Sequence, residues 1–292
     1  MINLKLSSEC KECLLNKQKN NLKTYENEEI KKEYLFKVSN IISEAKDTEN
    51  APRILSKIND LHNDYFNENF SFTDLKKKYN KLMLEKEQDI FLKVITAEDR
   101  LLEAIKFARA GNYIDFGALG NVNDEKLNSL LDSVTSETID MNIYSDFKKD
   151  LMKSENLVYI TDNCGEIVLD KLLIKTIKET YPKIKIKVLV RGIPILNDAV
   201  MEDALDVGLD NCAEVYGNGS DIPGTDLDDI STEAKEIIDK ADMIISKGQG
   251  NFETLHGCNL NIYYMLLCKC DYFVKRFNLA KFSGVFINEK NL

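Results

Sequence analysis

Side chains that could do chemistry gather in three short segments of the chain's second half, residues 161–166, 191–198 and 247–253. Each segment follows a run rich in β-branched or other apolar residues, which is typical of a buried strand. Because ligands of an open α/β sheet bind beyond the carboxyl ends of its strands, a site is expected at these segments. Together they supply carboxylates, amides and cations, a set suited to a metal ion and a phosphate group.

The candidate metal ligands are Asp162, Asn163 and Asp198. One strand–helix–strand crossover separates the two aspartates, which can bring both carboxylates to the same edge of a sheet. Carboxylate and amide oxygens without a histidine or thiolate favour Mg²⁺ or Mn²⁺. Such an ion would lower the pKa of a bound water and neutralise charge as a P–O bond breaks. The segments therefore predict metal-assisted phosphate-ester hydrolysis, with Asp162 and Asp198 as catalytic residues.

Two other roles for Asp162 stay open on this reasoning. An aspartate before a helix often accepts hydrogen bonds from the helix N-terminus, and a helix is expected to follow. Asp162 could also attack phosphorus directly. Phosphatases of that type usually carry a second aspartate two residues later, where this chain has Cys164. We prefer the ligand role because Asp198 and Lys247 occupy matching positions after other predicted strands.

Cations at two of the strand ends could bind a phosphate. Lys247 stands where a predicted strand meets a turn containing Gly248 and Gly250, which allow an anion to approach the backbone closely. An ammonium group there would act as a point charge on the phosphate, so Lys247 is a catalytic as well as a binding candidate. Arg191 could do the same or pair with a carboxylate. The spacing is not that of a Walker A loop.

The seven cysteines are expected to be reduced thiols of a cytoplasmic protein. Cys10 and Cys13 form a single Cys-x2-Cys pair, and zinc would need two further ligands. Whether this pair binds a metal stays open. Cys164 lies in the candidate site without a histidine base, which disfavours a cysteine-dependent phosphatase.

The elements that must position these residues change character near residue 156. Earlier residues show helical spacing over 28–46 and 76–110, with a break near 96–99 and a stop at Gly111-Asn112. Later residues alternate between short apolar runs and amphipathic stretches. The predicted strands are 157–161, 184–190, 211–216, 243–246 and 284–287, and the predicted helices are 165–181, 199–207, 231–240 and 259–269.

This alternation predicts an α/β fold, namely a three-layer α/β/α core with a mostly parallel sheet. The core would comprise residues 156–292 and bind metal and phosphate, and residues 1–155 would form a helical N-terminal part.

Composition narrows the class of protein. A chain of 292 residues that is 43% hydrophobic can bury a proper core. A net charge of −10 argues against binding nucleic acid or an anionic membrane surface. No stretch approaches the ~20 apolar residues of a membrane span, and residues 1–13 lack the pattern of a secretion signal. We therefore expect a cytoplasmic protein that binds a small phosphorylated metabolite; its oligomeric state stays open.

Three motifs in these segments resemble the damage-control phosphatase family, formerly a domain of unknown function, which also includes acidic-residue methyltransferase-like proteins. They are Asp162-Asn163-x-Gly-Glu166, Arg191-Gly-x-Pro-x-Leu-Asn-Asp198 and Lys247-Gly-x-Gly-Asn251-Phe. Three more elements resemble its prokaryotic branch: Cys10-x2-Cys13, Gly111-Asn112-Tyr-Ile-Asp115-Phe and Lys269-Cys270. The resemblance covers almost the whole chain.

The resemblance implies one divalent metal ion, Mn²⁺, Mg²⁺, Co²⁺ or Ni²⁺, held by Asp162, Asn163 and Asp198. It implies hydrolysis of small sugar phosphates, nucleotides or cofactor phosphates. Where some relatives have an arginine, this chain has Glu253, which leaves the substrate preference open. The residues expected to bind substrate are Glu166, Arg191, Lys247, Gln249, Gly250, Asn251, Glu253, Lys269, Asn112 and Asp115.

Two other functions remain open. A methyltransferase acting on protein carboxylates would favour a glycine-rich loop after the first strand, where this chain has Asp162-Asn163. A non-catalytic sensor would bind a phosphorylated metabolite without turnover. Metal-dependent phosphate release separates both from a phosphatase.

Overall fold

A computed structural model describes residues 6–66, 72–114 and 124–292 of the chain. Within these residues a six-stranded sheet forms the centre of the second half. Its strands are β1 (Asn156–Ile160), β2 (Lys185–Val190), β3 (Glu214–Gly217), β4 (Met243–Lys247), β5 (Ile262–Leu267) and β6 (Gly284–Asn288). Their order is β3-β2-β1-β4-β5-β6, with β6 antiparallel to β5 and the other pairs parallel.

Helices precede the sheet and connect its strands. The first half contains α1 (Ser8–Asn21), α2 (Glu28–Ser43), α3 (Ala51–Phe66), α4 (Thr73–Thr96), α5 (Arg100–Gly111), α6 (Asp124–Ser133) and α7 (Met141–Lys153). The second half contains α8 (Glu166–Thr180), α9 (Met201–Asp206), α10 (Thr232–Asp239), α11 (Gln249–Leu255) and α12 (Asp271–Phe277).

The strand order reverses between β1 and β4. From β1 the chain proceeds outward to β2 and β3, and it then returns to place β4 on the other side of β1. Ile160 at the end of β1 pairs with Leu189 and Ser246 of its two neighbours. A reversal of this kind opens a crevice at the carboxyl ends of the strands. The segments after β1, β2 and β4 therefore meet at one edge.

The sheet separates two apolar layers, as the predicted three-layer fold requires. Because strand side chains alternate in direction, Tyr159 and Val188 pack with α4, α5, α7 and α8. Val158 and Leu189 pack on the opposite face with α10, α11 and α12. A third cluster joins α1, α2 and α3. The predicted α/β class with a mostly parallel sheet is confirmed.

The first half is helical as predicted. The expected break near residues 96–99 lies between α4 and α5, where Asp99 caps α5 by accepting a hydrogen bond from the Leu102 amide. The predicted stop at Gly111 is the last residue of α5. Because α4, α5 and α7 share a core with the sheet, the division at residue 155 marks a change of secondary structure and stays a prediction as a domain boundary.

The predicted helix over residues 259–269 is wrong, because the segment forms β5, Ile262–Leu267. All six residues of the strand are buried. Parallel strands covered on both faces are continuous apolar runs without alternation. Such a run cannot be distinguished from a buried helix by periodicity alone.

No helix in the described ranges is long and apolar enough to cross a membrane.

Replacing Phe107 in α5 tests whether helices and sheet unfold together. Phe107 is fully buried in the core shared with the sheet, so Phe107→Ala should lower the free energy of unfolding by about 3–5 kcal/mol. Phe36→Ala is the control, because that side chain is 67% exposed and should change stability by less than about 0.5 kcal/mol. Denaturant unfolding followed by circular dichroism and tyrosine fluorescence should give one shared transition. Two separate transitions, with only the helical signal shifted, would contradict the shared core.

Candidate functional site

The segments after β1 and β2 are joined by backbone hydrogen bonds. The Ala199 amide donates to the Asp162 carbonyl at 2.8 Å, and the Cys164 amide donates to the Asn197 carbonyl at 2.9 Å. Asn163 and Asp198 form an isolated antiparallel bridge. The two loops are therefore fixed against each other, and the structure brings Asp162, Asn163 and Asp198 together as expected. Their role as metal ligands stays a prediction.

Asp162 lies at this edge of the sheet, directly after β1, and is only 9% exposed. Its Oδ2 accepts hydrogen bonds from the side-chain amides of Asn112 at 2.9 Å and Asn163 at 2.7 Å. Burial raises the pKa of the Asp162 carboxyl well above its usual range, and the negative charges of Asp198 and Glu166 add to this effect. The carboxyl groups of Asp162, Asp198 and Glu166 thus lie close together where water solvates them poorly, which disfavours their ionised forms.

Arg191 neutralises part of that charge. Its Nε donates to Oδ2 of Asp198 at 2.6 Å, and its Nη1 donates to Oδ1 of Asn251 at 3.0 Å and to Thr225 Oγ1 at 3.3 Å. Among the described residues, the buried Nη2 finds no hydrogen-bond acceptor. It lies 3.9 Å from Oδ1 of Asp162. The guanidinium group therefore keeps the two N–H groups of Nη2 for another acceptor at this edge.

Lys247 lies beneath the site and is fully buried. Its Nζ donates to Oε1 of Glu166 at 2.6 Å, to Oδ1 of Asp170 at 2.6 Å and to the Ala108 carbonyl at 2.8 Å. Burial opposes its charge, but the two carboxylates raise the pKa of Lys247 to about 12. An ammonium group has three hydrogens, so all three are used within the protein. This arrangement leaves none for a phosphate.

Glu166 connects the buried ammonium group to the metal-ligand candidates. It begins α8, and its Oε2 accepts hydrogen bonds from the side-chain amides of Asn112 at 3.1 Å and Asn163 at 3.2 Å. Its side chain is fully buried, which gives no support to the predicted direct contact with substrate. The contacts indicate that it orients the two amides.

Asp170 and Tyr159 complete the network and are not apparent as site residues in the sequence. Tyr159 donates to Oδ1 of Asp170 at 2.7 Å. Burial raises the pKa of Asp170 to about 6, against the lowering effect of Lys247. The available signal was spacing, because Asp170 stands one helical turn after Glu166 and so shares its face of α8.

Gly248 leaves room for the Asp162 carboxylate. Its φ is +81°, and a Cβ built at this position would lie 2.0 Å from Oδ2 of Asp162. Any side chain would therefore occupy the space of the carboxylate. The glycine after β4 is required by this close approach, whereas the sequence had suggested a contact with a phosphate.

Asn251 is fully buried and serves as a cross-link. Its Nδ2 donates to the carbonyls of Thr161 at 2.9 Å and Lys247 at 2.6 Å. Its Oδ1 accepts from Arg191 and from the Thr225 hydroxyl. The residue thereby ties together the segments after β1, β2 and β4. Gly250 packs against the Pro223 carbonyl, where an added Cβ would lie only 2.0 Å away.

Gln249 and Glu253 occupy one face of α11 and lie near thiols. The Gln249 amide donates to Sγ of Cys270 at 4.0 Å. Burial raises the pKa of the half-buried Glu253 to about 8. Burial raises the pKa of the Cys10 and Cys270 thiols, and the negative charge of Glu253 adds a smaller increase to both. These residues thus face the seam between α1 and α12, and lining a substrate pocket stays a prediction for them.

Of the remaining predicted site residues, two lie near Asp162 and one lies outside the described residues. Asn112 lies within the site through its bonds to Asp162 and Glu166. The positive charge of Lys269 lowers the pKa of Asp162, which places it nearby. Asp115 lies outside the described residues.

Within the described ranges, no group of three or more His, Cys, Asp or Glu side chains is arranged to hold a metal ion. Zinc ligation by Cys10 and Cys13 therefore gains no support, and both thiols are free. The set at the sheet edge is of another kind, with two carboxylates and one amide oxygen. Hard oxygen donors of this type suit Mg²⁺ or Mn²⁺, which usually retain several water ligands.

Comparison with known proteins identifies similar chains. Residues 6–283 match the Damage-control phosphatase ARMT1-like domain. A damage-control phosphatase of Pyrococcus horikoshii is 32% identical over 209 residues, 71% of each chain. An uncharacterized protein of Methanocaldococcus jannaschii is 38% identical over 214 residues, 70% of this chain and 68% of that protein. The crystal structure of a DUF89 family protein from Pyrococcus horikoshii, 27% identical, superposes with a TM-score of 0.83 and covers 98% of this chain and 99% of that one.

Removing the buried ammonium group should destabilise the fold. Lys247→Met leaves the carboxylates of Glu166 and Asp170 buried without their counter-charge, so we expect a loss of about 3–5 kcal/mol in the free energy of unfolding. Lys175→Met on α8 is the control, because Lys175 is 41% exposed and lies 3.7 Å from Glu87; its effect should stay below about 1 kcal/mol. Denaturant titration measures both. An unchanged stability for Lys247→Met would show that the network is not formed.

The raised pKa of Glu253 should make stability depend on pH. The folded state holds this proton up to about pH 8, whereas an ordinary glutamate releases it near 4.5. Folding stability from this group is therefore fully present below pH 4.5 and is lost as pH rises through about 8. Glu253→Gln removes the titration, so the variant should gain melting temperature relative to wild type between pH 5 and pH 9. A difference between the two proteins that is constant over this range would contradict the shift.

Proposed function

The chain belongs to the damage-control phosphatase ARMT1-like family, and from this premise we propose that it is a phosphatase that hydrolyses small phosphate esters with the help of a divalent cation. The family match confirms the family resemblance found in the sequence, and the detail of the N-terminal Cys10-x2-Cys13 pair stays a prediction. The observation that carries the proposal is the buried pair Asp162 and Asp198 at the switch point of the sheet, with Nη2 of Arg191 beside it, which makes no hydrogen bond within the described residues.

Asp162, Asn163 and Asp198 would hold the cation. The donor set supports this assignment, since it consists of oxygens on two loops that are fixed against each other. The absence of a side chain at Gly248 lets the Asp162 carboxylate occupy its place at this edge of the sheet. When bound, a divalent ion would polarise a phosphoryl oxygen and lower the pKa of a water molecule.

The chain's own cations would orient the phosphoryl group. Arg191 has its guanidinium plane fixed by Asp198, Asn251 and Thr225, so Nη2 needs no reorganisation to meet an anionic oxygen. Lys269 would add a second positive charge near Asp162. Phosphoryl transfer is catalysed mainly by positioning and by electrostatic stabilisation of the equatorial oxygens. Because Nη2 of Arg191 is already fixed in place, it would supply both the positioning and the electrostatic stabilisation.

Lys247 takes a different part in this proposal from the one expected. Its three hydrogens are bound by Glu166, Asp170 and Ala108, so it would act by positioning Glu166 and not by touching the phosphate. Glu166 in turn orients Asn112 and Asn163. The direct electrostatic role therefore passes to Arg191 and Lys269.

The organic part of the substrate would extend toward α11. Glu253 keeps its proton below about pH 8, so it carries no charge that would repel an ester phosphate at neutral pH. A protonated carboxyl and the Gln249 amide can both donate hydrogen bonds. We therefore expect small esters rich in hydroxyl groups, such as sugar phosphates and nucleotides.

A panel of sugar phosphates, nucleotides and cofactor phosphates, assayed with Mg²⁺, Mn²⁺, Co²⁺ and Ni²⁺, tests this function. Wild type should release phosphate with at least one metal and lose that activity in a chelator. Asp162→Asn and Asp198→Asn should lower kcat/KM by about 100-fold or more, since even the loss of an outer partner of a metal site costs about 10–100-fold. Asp210→Asn, at an exposed residue, is the control and should retain full activity.

Two results would contradict the proposal. Undiminished phosphate release by Asp162→Asn would show that the activity does not depend on the proposed metal site. Saturable ligand binding without turnover in any metal would indicate a sensor instead.

A further inference from the structure

Asn80 of α4 is 3% exposed and contacts the end of the first ligand-bearing loop and the helix that follows the second. Its Oδ1 accepts a hydrogen bond from the Gly165 amide at 2.6 Å. Its Nδ2 donates to Oδ1 of Asp203 at 3.0 Å. One side chain from the helical half therefore joins the start of α8 to the first turn of α9.

Asp203 is itself fixed from two directions. Its Oδ2 accepts from the Val200 amide at 3.0 Å and pairs with Nζ of Lys76 at 2.5 Å. Lys76 and Asn80 stand one helical turn apart on α4 and so face the same way. The helix thus holds Asp203 through both of its oxygens.

These anchors lie directly beside the candidate metal ligands. Gly165 ends the loop that contains Asp162, and its φ of +71° needs the freedom of a glycine. Val200 follows the loop that contains Asp198. Between the loops, the bond from the Ala199 amide to the Asp162 carbonyl fixes the inner side. The pair of loops is therefore held from within by backbone and from outside by Asn80.

We propose that Asn80 is a positioning residue that sets the separation of the Asp162 and Asp198 carboxylates. Without it the Gly165 amide would be buried without its acceptor, and the starts of α8 and α9 could move apart. The reaction it serves rests on the proposed function, but the geometry it maintains does not. Partners that orient metal ligands typically change metal affinity or activity by 10–100-fold when removed.

The variants are chosen to separate positioning from general packing. Asn80→Ala removes both bonds. Met83→Ala is the control, because Met83 is fully buried on the same helix and packs in the apolar core. The double variant Asn80→Asp, Asp203→Asn exchanges donor and acceptor: the new carboxylate accepts from Gly165 and from the new amide, whose oxygen can still accept from Val200. Each protein is measured at the same interval below its own melting temperature.

Amide hydrogen exchange of the metal-free protein gives the first readout. Asn80→Ala should speed exchange at Cys164, Gly165 and Ala199 by about 10–100-fold, whereas Met83→Ala should change these three amides no more than the rest of the sheet. Binding of Mn²⁺ and kcat/KM give the second. Asn80→Ala should weaken Mn²⁺ binding and lower kcat/KM by about 10–100-fold, and the exchanged pair should recover to within about threefold of wild type.

Loop amides that exchange in Asn80→Ala as they do in Met83→Ala would overturn the inference, whatever the activity. So would a Mn²⁺ affinity equal to that of wild type. If wild type hydrolyses no ester with any metal, the proposed function fails, and the exchange measurement still decides the role of Asn80.

Discussion

Two like charges, those of Asp162 and Asp198, are held close together at a buried edge of the sheet. Burial and the neighbouring carboxylates raise the pKa of Asp162, so the ionised pair is unfavourable unless positive charge compensates it. The chain supplies Arg191 for this purpose, but its guanidinium pairs closely with Asp198 and only distantly with Asp162. This remaining imbalance is the physical reason to propose a cation among Asp162, Asn163 and Asp198.

The surrounding structure makes this arrangement rigid. Beneath it, Lys247 pairs with both Glu166 and Asp170 and so compensates part of their negative charge below the site. Beside it, Asn251 links the segments after three strands through four hydrogen bonds. From outside, α4 bonds to Gly165, at the end of the loop that contains Asp162, and to Asp203 in the helix that follows the loop with Asp198. The helical first half therefore contributes to the geometry of the site and to the core under it.

The sequence was informative where local rules act. The alternation of strands and helices indicates the sheet, and the single strand–helix–strand crossover between Asp162 and Asp198 predicts that their carboxylates meet at one edge. It was misleading for β5, because a strand buried on both faces has no alternation to detect. It could not show that Lys247 pairs with Glu166 and Asp170, since that choice depends on how α8 packs on the sheet. The same holds for Gln249 and Glu253, whose surroundings depend on how α11 packs against α12.

A crystal of the wild-type protein soaked in Mn²⁺ and measured at the manganese absorption edge tests the central claim most directly. We expect an anomalous peak bounded by oxygens of Asp162, Asn163 and Asp198 at about 2.0–2.3 Å, with Nη2 of Arg191 facing the open coordination positions. A peak elsewhere, for example at the thiols of Cys10 and Cys270, or the absence of any peak at this edge of the sheet, would contradict it.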